Sequence, residues 1–283
     1  AFVLAGLVMA FTVASYAELS TRFPVSAGEA AYVRAAFQSR LLSTLTGLLT
    51  IVIGVVASAA VTLGSAGYIA QFVELPHSLI VVAVVVVLGA VAAWGILESV
   101  LLASLFTLIE VGGLLAIIVA AVHADLPIAA ALVQPLPDAG ALSGIAFASL
   151  LAFFAFIGFE DLANVVEEAK VPHRDIPRAM VLTLIISTIL YVTVAATAIS
   201  AVSVERLASS PAPLSLVFRE VAGVSPATIS AIAIVATLNT ILAQMTMAAR
   251  VIYGMARQGD LPGIAGRVHP RTATPLIATA LIV

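Results

Sequence analysis

The stretch FASLLAFFAFIGFEDLANVVEE, residues 147–168, decides how the rest of this 283-residue chain is read. Its first part is an apolar run with no charge, long enough to begin a membrane crossing. Gly158 then stands among Phe153, Phe154, Phe156, Ile157 and Phe159, directly ahead of Glu160 and Asp161. Glycine weakens a helix locally, and two acids at that depth need water or a polar partner. A helix that breaks here and lines a cavity meets both demands, because broken helices turn backbone amides and carbonyls toward a ligand. A continuous helix whose acids lie near the membrane surface also accommodates these residues, and on the residues alone both readings stay open.

Composition agrees with a membrane solvent. Hydrophobic residues make up 62% of the chain, charged residues 10%, and mean hydropathy is +1.20. A soluble domain with so little charge would expose large apolar patches and aggregate. With no cysteine, the chain has no disulfide, thiolate metal site or cysteine nucleophile. The opening AFVLAGLVMAF lacks a basic region or cleavage signature and reads as a span, not a signal peptide. The ends at Ala1 and Val283 look cut inside helices, as in a piece of a longer protein.

Runs of about 20 apolar residues cross the hydrocarbon as helices, since every backbone polar group must be satisfied internally. The expected spans are 1–17, 41–68, 78–93, 99–122, 143–166, 178–202 and 226–253, with another beginning at Pro275. The basic residues test this arrangement. Arg22, Arg34 and Arg40, then Lys170, Arg174 and Arg178, then Arg250, Arg257, Arg267 and Arg271 all fall on one side, leaving Arg206 and Arg219 opposite. Positive residues stay cytoplasmic, so the loop at 170–178 is expected inside and the loop at Asp125–Asp138 outside. Pro172 and Pro177 bracket an expected turn, with a new helix starting at Pro177. The stretch ERLASSPAPLSLVFREVAGVSP, residues 205–226, holds a short amphipathic segment expected at the membrane surface. His77, His123, His173 and His269 read as loop or span-end residues, and no metal-ligand spacing, phosphate-cradling loop, nucleophile elbow or nucleic-acid signature occurs, so no cofactor and no nucleic acid is expected.

Ionisable residues inside spans point to function. Glu98 sits near a span end and can snorkel to water. Glu110 lies mid-span between FTLI and VGG, and Glu160 follows the expected break. Gly54 and Ser58 form a small-xxx-small pair that fits close helix packing or the lining of a pocket. Asn239, Thr240 and Gln244 give the last full span a polar patch, for interhelical hydrogen bonds or for contact with a ligand or ion. Arg250 and Arg257 read as ordinary cytoplasmic anchors.

FFAFIGFEDLANVVEEAKVPHRDIPRAM (153–180) resembles the sixth helix and following loop of the amino acid–polyamine–organocation (APC) superfamily of transporters. RVIYGMARQGDLP (250–262) resembles the end of that family's eighth helix, and YAELSTRFPVSAGEAAYV (16–33) the end of its second. Order, spacing and orientation of the three blocks agree, so the resemblance covers nearly the whole chain; Ala27 and Ala31 depart from it, standing where the family often has Gly and an aromatic. It implies an all-α polytopic membrane bundle with the inverted-repeat, LeuT-like fold, here one partial transmembrane transporter domain over 1–283 holding helices two to eight and the start of nine. It implies substrate bound at the midplane between broken first and sixth helices. Phe154, Ala155, Phe156, Ile157 and Gly158 fall on the unwound segment, whose carbonyls would accept from a substrate ammonium, with Phe154 as an aromatic gate. Gly54, Ser58 and Gln244 would complete the substrate side, and Glu160, Glu110 and Asn239 would serve coupling or gating.

The function this implies is a secondary active transporter, or permease, for amino acids or related small amines. It would work by alternating access, as a symporter or antiporter driven by a proton or Na+ or by exchange, multi-pass in the plasma (bacterial inner) membrane among its lipids. A seven-span receptor-like protein or scaffold explains the span count but not the motif order. It also lacks an intramembrane lysine for a retinal-type chromophore, the single Lys170 being in a loop. An intramembrane hydrolase would need paired acids or a Ser/His pair on facing helices, which is not apparent, so no enzyme is expected.

Overall fold

Seven helices among the described residues are long and apolar enough to cross a membrane. The computed structural model describes residues 1–133, 139–210, 213–223 and 225–283, the side chains of 96–98, 139, 226 and 229 excepted. The expectations placed on Glu98 and on Asp138 therefore lie outside the described residues. In chain order the helices are α1 Phe2–Arg22, α2 Gly28–Phe37, α3 Arg40–Ile69, α4 His77–Trp94, α5 Ile96–His123, α6 Ile128–Leu132 and α7 Ala139–Phe153. They continue with α8 Asp161–Asn164, α9 Pro172–Ala201, α10 Val204–Ser209, α11 Pro213–Ala222, α12 Pro226–Arg257 and α13 Leu276–Ile282. The fold is all-α and polytopic, and the chain is a multi-pass integral membrane protein.

Helix α3 shows why these sequences fold this way in lipid. Its buried positions are Ser43, Gly47, Gly54, Ser58, Thr62, Ser65 and Ala66, while Leu45, Leu49, Val52, Ile53, Val56 and Leu63 are exposed. Small residues face the protein and bulky apolar ones face outward, the reverse of a water-soluble helix, because lipid is as apolar as Leu and association rests on close packing. Two of the hydroxyls on that face, those of Thr62 and Ser65, are satisfied within the helix. Thr62 donates to the Ser58 carbonyl at 2.7 Å and Ser65 to that of Thr62 at 2.8 Å. Ser39 caps the start of α3, accepting from the Leu42 amide at 3.3 Å.

The chain divides into two compact units. One contains 1–15, 109–159 and 180–232. Its core joins Ile117 of α5, Val202, and Val217 and Phe218 of α11, so the short amphipathic helix is held by its own apolar face. Arg206 and Glu220 tie α10 to α11 at 2.6 Å. The other unit contains 16–108, 160–179 and 233–283. Here Ile80, Val84, Leu88 and Ala92 of α4 pack with Ala66 of α3 and with Ile241, Leu242 and Met245 of α12.

The expected spans match the helices closely, with one correction. A new helix does not start at Pro177. Helix α9 begins at Pro172 and carries Pro177 inside it. The Val171 carbonyl accepts from the amides of Arg174 and Asp175 at 3.1 and 2.9 Å, nucleating the helix one turn early. Pro172 sits at the first helical position, where no amide is needed, and Pro177 comes soon enough after it to forgo only one intrahelical bond.

Gly254 of α12 marks the tightest contact. A methyl group built there would lie 2.3 Å from the Ala27 backbone nitrogen and 2.6 Å from the Ser26 carbonyl carbon. In an open helix Gly→Ala stabilises by about 0.5–1 kcal/mol. Here Gly254→Ala is expected to destabilise by about 1–3 kcal/mol, the cost of overpacking, read as a lowered thermal midpoint of purified protein in detergent.

Topology is checked by labelling. Lys170 and Asp125 are both exposed, and the chain has no cysteine to interfere. In intact cells an impermeant thiol reagent is expected to label Asp125→Cys and to leave Lys170→Cys unreacted until the membrane is opened. The reverse pattern would invert the assignment.

Candidate functional site

The fifth long span is discontinuous where the sequence led one to expect. Helix α7 ends at Phe153, a tight 3-10 turn covers Phe154–Phe156, and Ile157 is extended with φ −66° and ψ 139°. Gly158 has φ +120°, a conformation that side-chain-bearing residues rarely adopt. Helix resumes only at Asp161, for four residues, and a second 3-10 turn covers Val166–Glu168. A break must account for its backbone groups. The Ile157 amide bonds the Phe154 carbonyl at 3.3 Å, and the Ala163 amide bonds that of Glu160 at 2.8 Å.

The first part of the break is held by Tyr191 of α9, which the sequence reading missed. Its hydroxyl donates to the Ala155 carbonyl at 2.6 Å. Its ring lies 5.2 Å from that of Phe156, edge to face, and 5.5 Å from that of Phe2. Phe156 is buried, whereas Phe154 and Ile157 are 65% and 51% exposed. Of the residues expected on the unwound segment, Phe156 and Ala155 are thus occupied in holding the break, and Phe154 and Ile157 face outward. Glu110 lies in the same unit, partly buried on α5. An open apolar cavity of about 450 Å³, lined by Leu4, Ala5, Val8, Ala146, Ser149, Leu150 and Phe153, also belongs to this unit. Its walls offer an ammonium or carboxylate nothing.

The remaining expected site residues lie in the other unit. Gln244 of α12 donates through Nε2 to Asp161 Oδ2 at 2.8 Å. A methyl at Gly54 would lie 3.0 Å from Met247, 3.1 Å from Ala248 and 3.4 Å from the Gln244 carbonyl oxygen. Gly54 therefore serves close packing of α3 on α12, beside the Gln244–Asp161 pair. Four residues on, the buried Ser58 hydroxyl has no hydrogen-bond partner among the described residues. Asn239 donates to Thr107 Oγ1 of α5 at 3.0 Å, an interhelical bond.

In this unit the three sequence blocks meet one another. The Ser26 amide donates to Glu167 at 2.9 Å, and the Thr21 carbonyl lies 2.9 Å from His173 Nδ1. The wholly buried Asp260 carboxylate accepts from Arg34 at 2.9 Å and from Ser43 at 3.1 Å, with Arg40 at 3.3 Å. Arg250 is not an ordinary solvated anchor. It is 4% exposed, pairs with Glu168, and stacks 5.5 Å from the Tyr253 ring centroid. A guanidinium is the cation best suited to such a site, being planar, weakly hydrated and permanently charged. Glu29 of α2 is also drawn in. Burial pushes its carboxyl above the usual carboxylate range, and the Glu160 charge adds to this; its own backbone amide, Tyr16 and Asn164 oppose it as hydrogen-bond partners. Burial likewise raises the Tyr32 phenol, with Glu29 adding to it.

An all-helical membrane protein whose span is broken at an aromatic–glycine segment, with acids directly after the break, is built as transporters with discontinuous helices are built. The sequence model of the amino acid permease family matches residues 1–283, and the chain belongs to that family, within the APC superfamily. It is 30% identical to the branched-chain amino acid permease BcaP of Bacillus subtilis, over 98% of the chain and 63% of that protein. It is 34% identical to an uncharacterized transporter of Mycobacterium tuberculosis, over 99% of the chain and 63% of that protein. A methylthioribose transporter of Bacillus subtilis is 26% identical, over 99% of the chain and 64% of its own length. The chain thus spans somewhat under two thirds of the length of these relatives.

Gly158 and Gly144 separate conformation from space. A methyl at either meets nothing within 4 Å, but only Gly158 has positive φ. Gly158→Ala is expected to cost about 1–3 kcal/mol, while Gly144→Ala, inside α7, is expected to be neutral or to stabilise by up to about 1 kcal/mol. Thermal midpoints of the two purified variants check this, and equal midpoints would show that the break does not depend on glycine.

Proposed function

We propose that the protein to which this chain belongs is a secondary active carrier of amino acids or related small amines, working by alternating access in the plasma membrane. The observation that carries this reading is the interruption of the span between Phe153 and Asp161, in a chain belonging to a permease family. Such a break presents backbone acceptors to an ammonium without any dedicated acidic side chain. The relative named for branched-chain amino acids supports an amino acid as substrate, and the one named for methylthioribose is the reason to include other small polar cargo in the test. The chain is one partial transmembrane domain of the inverted-repeat, LeuT-like type, and no catalytic role is assigned to it.

On this reading Phe154, Ala155, Phe156, Ile157 and Gly158 contribute the backbone side of the substrate site, with Phe154 as its aromatic gate. Gly54, Ser58 and Gln244 contribute the side-chain side. Ser58 supports this most directly, because a buried hydroxyl without a partner costs free energy unless something else satisfies it. Coupling falls to Glu160 or Glu110, with Asn239 in gating. A proton carrier needs a carboxyl that is neutral in one conformation and charged in another. By position the candidates are Glu110, near the middle of α5, and Glu160, just past the break; Na+ or exchange would call on neither.

The full-length protein in proteoliposomes tests this. A panel of radiolabelled amino acids is expected to show saturable uptake of at least one, accelerated by an inward proton gradient. If Glu110 carries the proton, Glu110→Gln retains substrate exchange and loses pH-driven accumulation. Undiminished accumulation in that variant would move the role to Glu160, for which Glu160→Gln is the matching test. Absence of uptake or exchange for the whole panel and for methylthioribose would overturn the carrier reading.

A further inference from the structure

The acids of the block cluster divide by partner. Glu168 is paired with Arg250, and Asp260 with Arg34 and Arg40. Glu167 accepts from the Ser26 amide. Glu29 has no such cation among the described residues. The titratable and charged groups that face it are Tyr16 of α1, Tyr32 of its own helix, and Glu160 and Asp161 after the break, none of them positive. Its nearest polar contacts are the Tyr16 hydroxyl, the Asn164 side chain and its own backbone amide.

Asn164 is the second observation. It is fully buried, and neither its amide nitrogen nor its carbonyl oxygen meets a well-aligned partner among the described residues. Nor does Glu29 Oε2, also buried. The Asn164 side chain lies against α2, where a methyl built at Gly28 would come within 2.1 Å of its oxygen. Glu29 Oε2 is thus left out of water, near Asn164, without a well-placed donor among the described residues. A carboxylate is acceptor-only, but a carboxylic acid also donates. One proton on Oε2 gives Glu29 a donor that the carboxylate lacks, while the carboxyl keeps its contact with the Tyr16 hydroxyl.

We infer that Glu29 is a proton-binding site, filled while α2 is docked against Tyr16 and Asn164 and emptied to water when α2 leaves. The ligand is the proton alone: one is taken from water on docking, one returned on release, and no other group changes. Helix α2 is held by the Arg34–Asp260 ion pair, the Ser26 amide on Glu167, the Ser43 hydroxyl on the Ala30 carbonyl at 2.9 Å, and the tight seat of Ala27 on Gly254. Loss of the proton leaves a bare carboxylate beside Glu160 and Asp161, which weakens the docking of this end of α2.

The sign follows from linkage. The docked state binds the proton more tightly than the undocked state, so docking is favoured in full below the ordinary carboxylate range. It weakens as pH rises through the docked value. Each unit by which docking raises the pKa changes the docking equilibrium about tenfold. As a property of α2 this inference is independent of the carrier reading; only its use in coupling rests on that reading.

Two measurements on the full-length protein in lipid test it, neither needing substrate. Infrared difference spectra are expected to show the carbonyl band of a buried protonated acid that disappears in Glu29→Gln and persists in Glu160→Gln and Asp161→Asn. Amide hydrogen exchange over residues 29–33 is expected to lose protection, about tenfold or more, as pH rises in wild type. In Glu29→Gln, whose amide stays neutral, the protection is expected to be independent of pH. No protonated-acid band in wild type, a band unchanged in Glu29→Gln, or the same pH dependence in both proteins would overturn the proposal. So would loss of the band in Glu160→Gln alone, which would give the proton to that residue. Unaltered infrared and exchange results alongside failed uptake would reject the carrier reading and leave the proton site standing.

Discussion

Hydrocarbon offers a backbone amide or carbonyl no partner, and from that constraint the rest of this structure follows. Each span must be a helix along its length, and a helix can stop inside the membrane only where other groups take over its bonds. Between Phe153 and Asp161 the ladder is interrupted, and the chain adapts with local turns and one borrowed donor. Tyr191 supplies that donor from a neighbouring helix and seats its ring on Phe156. The same constraint sets how helices meet. Since apolar side chains gain little by leaving lipid, α3 turns small and hydroxyl-bearing residues inward, and Gly47 and Gly54 let the methionines and Ala248 of α12 come close.

The charged end of the second unit obeys the complementary rule. Three segments far apart in sequence are stitched by polar contacts, Ser26 to Glu167, Arg250 to Glu168, and Arg34 with Arg40 to Asp260. A buried ion pair gains little net stability over an apolar pair of the same shape, but losing one partner is costly. Such pairs therefore fix which segments belong together more than they strengthen the whole. The motif blocks quoted from the sequence are the parts of this arrangement. Their spacing reflects each other's geometry before it reflects any ligand.

Much of the fold was legible because lipid reads a sequence simply. Apolar run length located the spans, and Gly158 ahead of two acids announced the break. What was not legible depends on partners distant in the chain. Arg250 looks like any arginine at a span end until Glu168 and Tyr253 are seen around it. Tyr191 lies in an unremarkable run, ISTILYVTV, and nothing local marks its bond to a residue 36 positions earlier. Pro177 misled because its effect on a helix depends on how many turns precede it, and Val171 starts α9 sooner than the apolar pattern does. Glu29, in a loop-like block, carried no hydropathy signal. Its burial comes from Asn164 and Tyr16, which the sequence holds 135 and 13 positions away.

The partners of the acids separate two kinds of carboxyl. A guanidinium beside a carboxylate stabilises the ionised form, so the pairs at Glu168 and Asp260 act as fixed ties. A neutral amide or phenol is indifferent by comparison, since each can donate to a carboxylate or accept from an acid. Asp161, held by Gln244, and Glu29, held by Tyr16 and Asn164, have partners of that second kind. Both lie beside Glu160, and among the described residues no cation faces either of them. Fixed ties therefore surround a small group whose charge is free to change. A device that must hold its segments in register while exchanging a proton with water needs both kinds, and in this unit the sequence keeps them apart by choosing arginine for one and amide or phenol for the other.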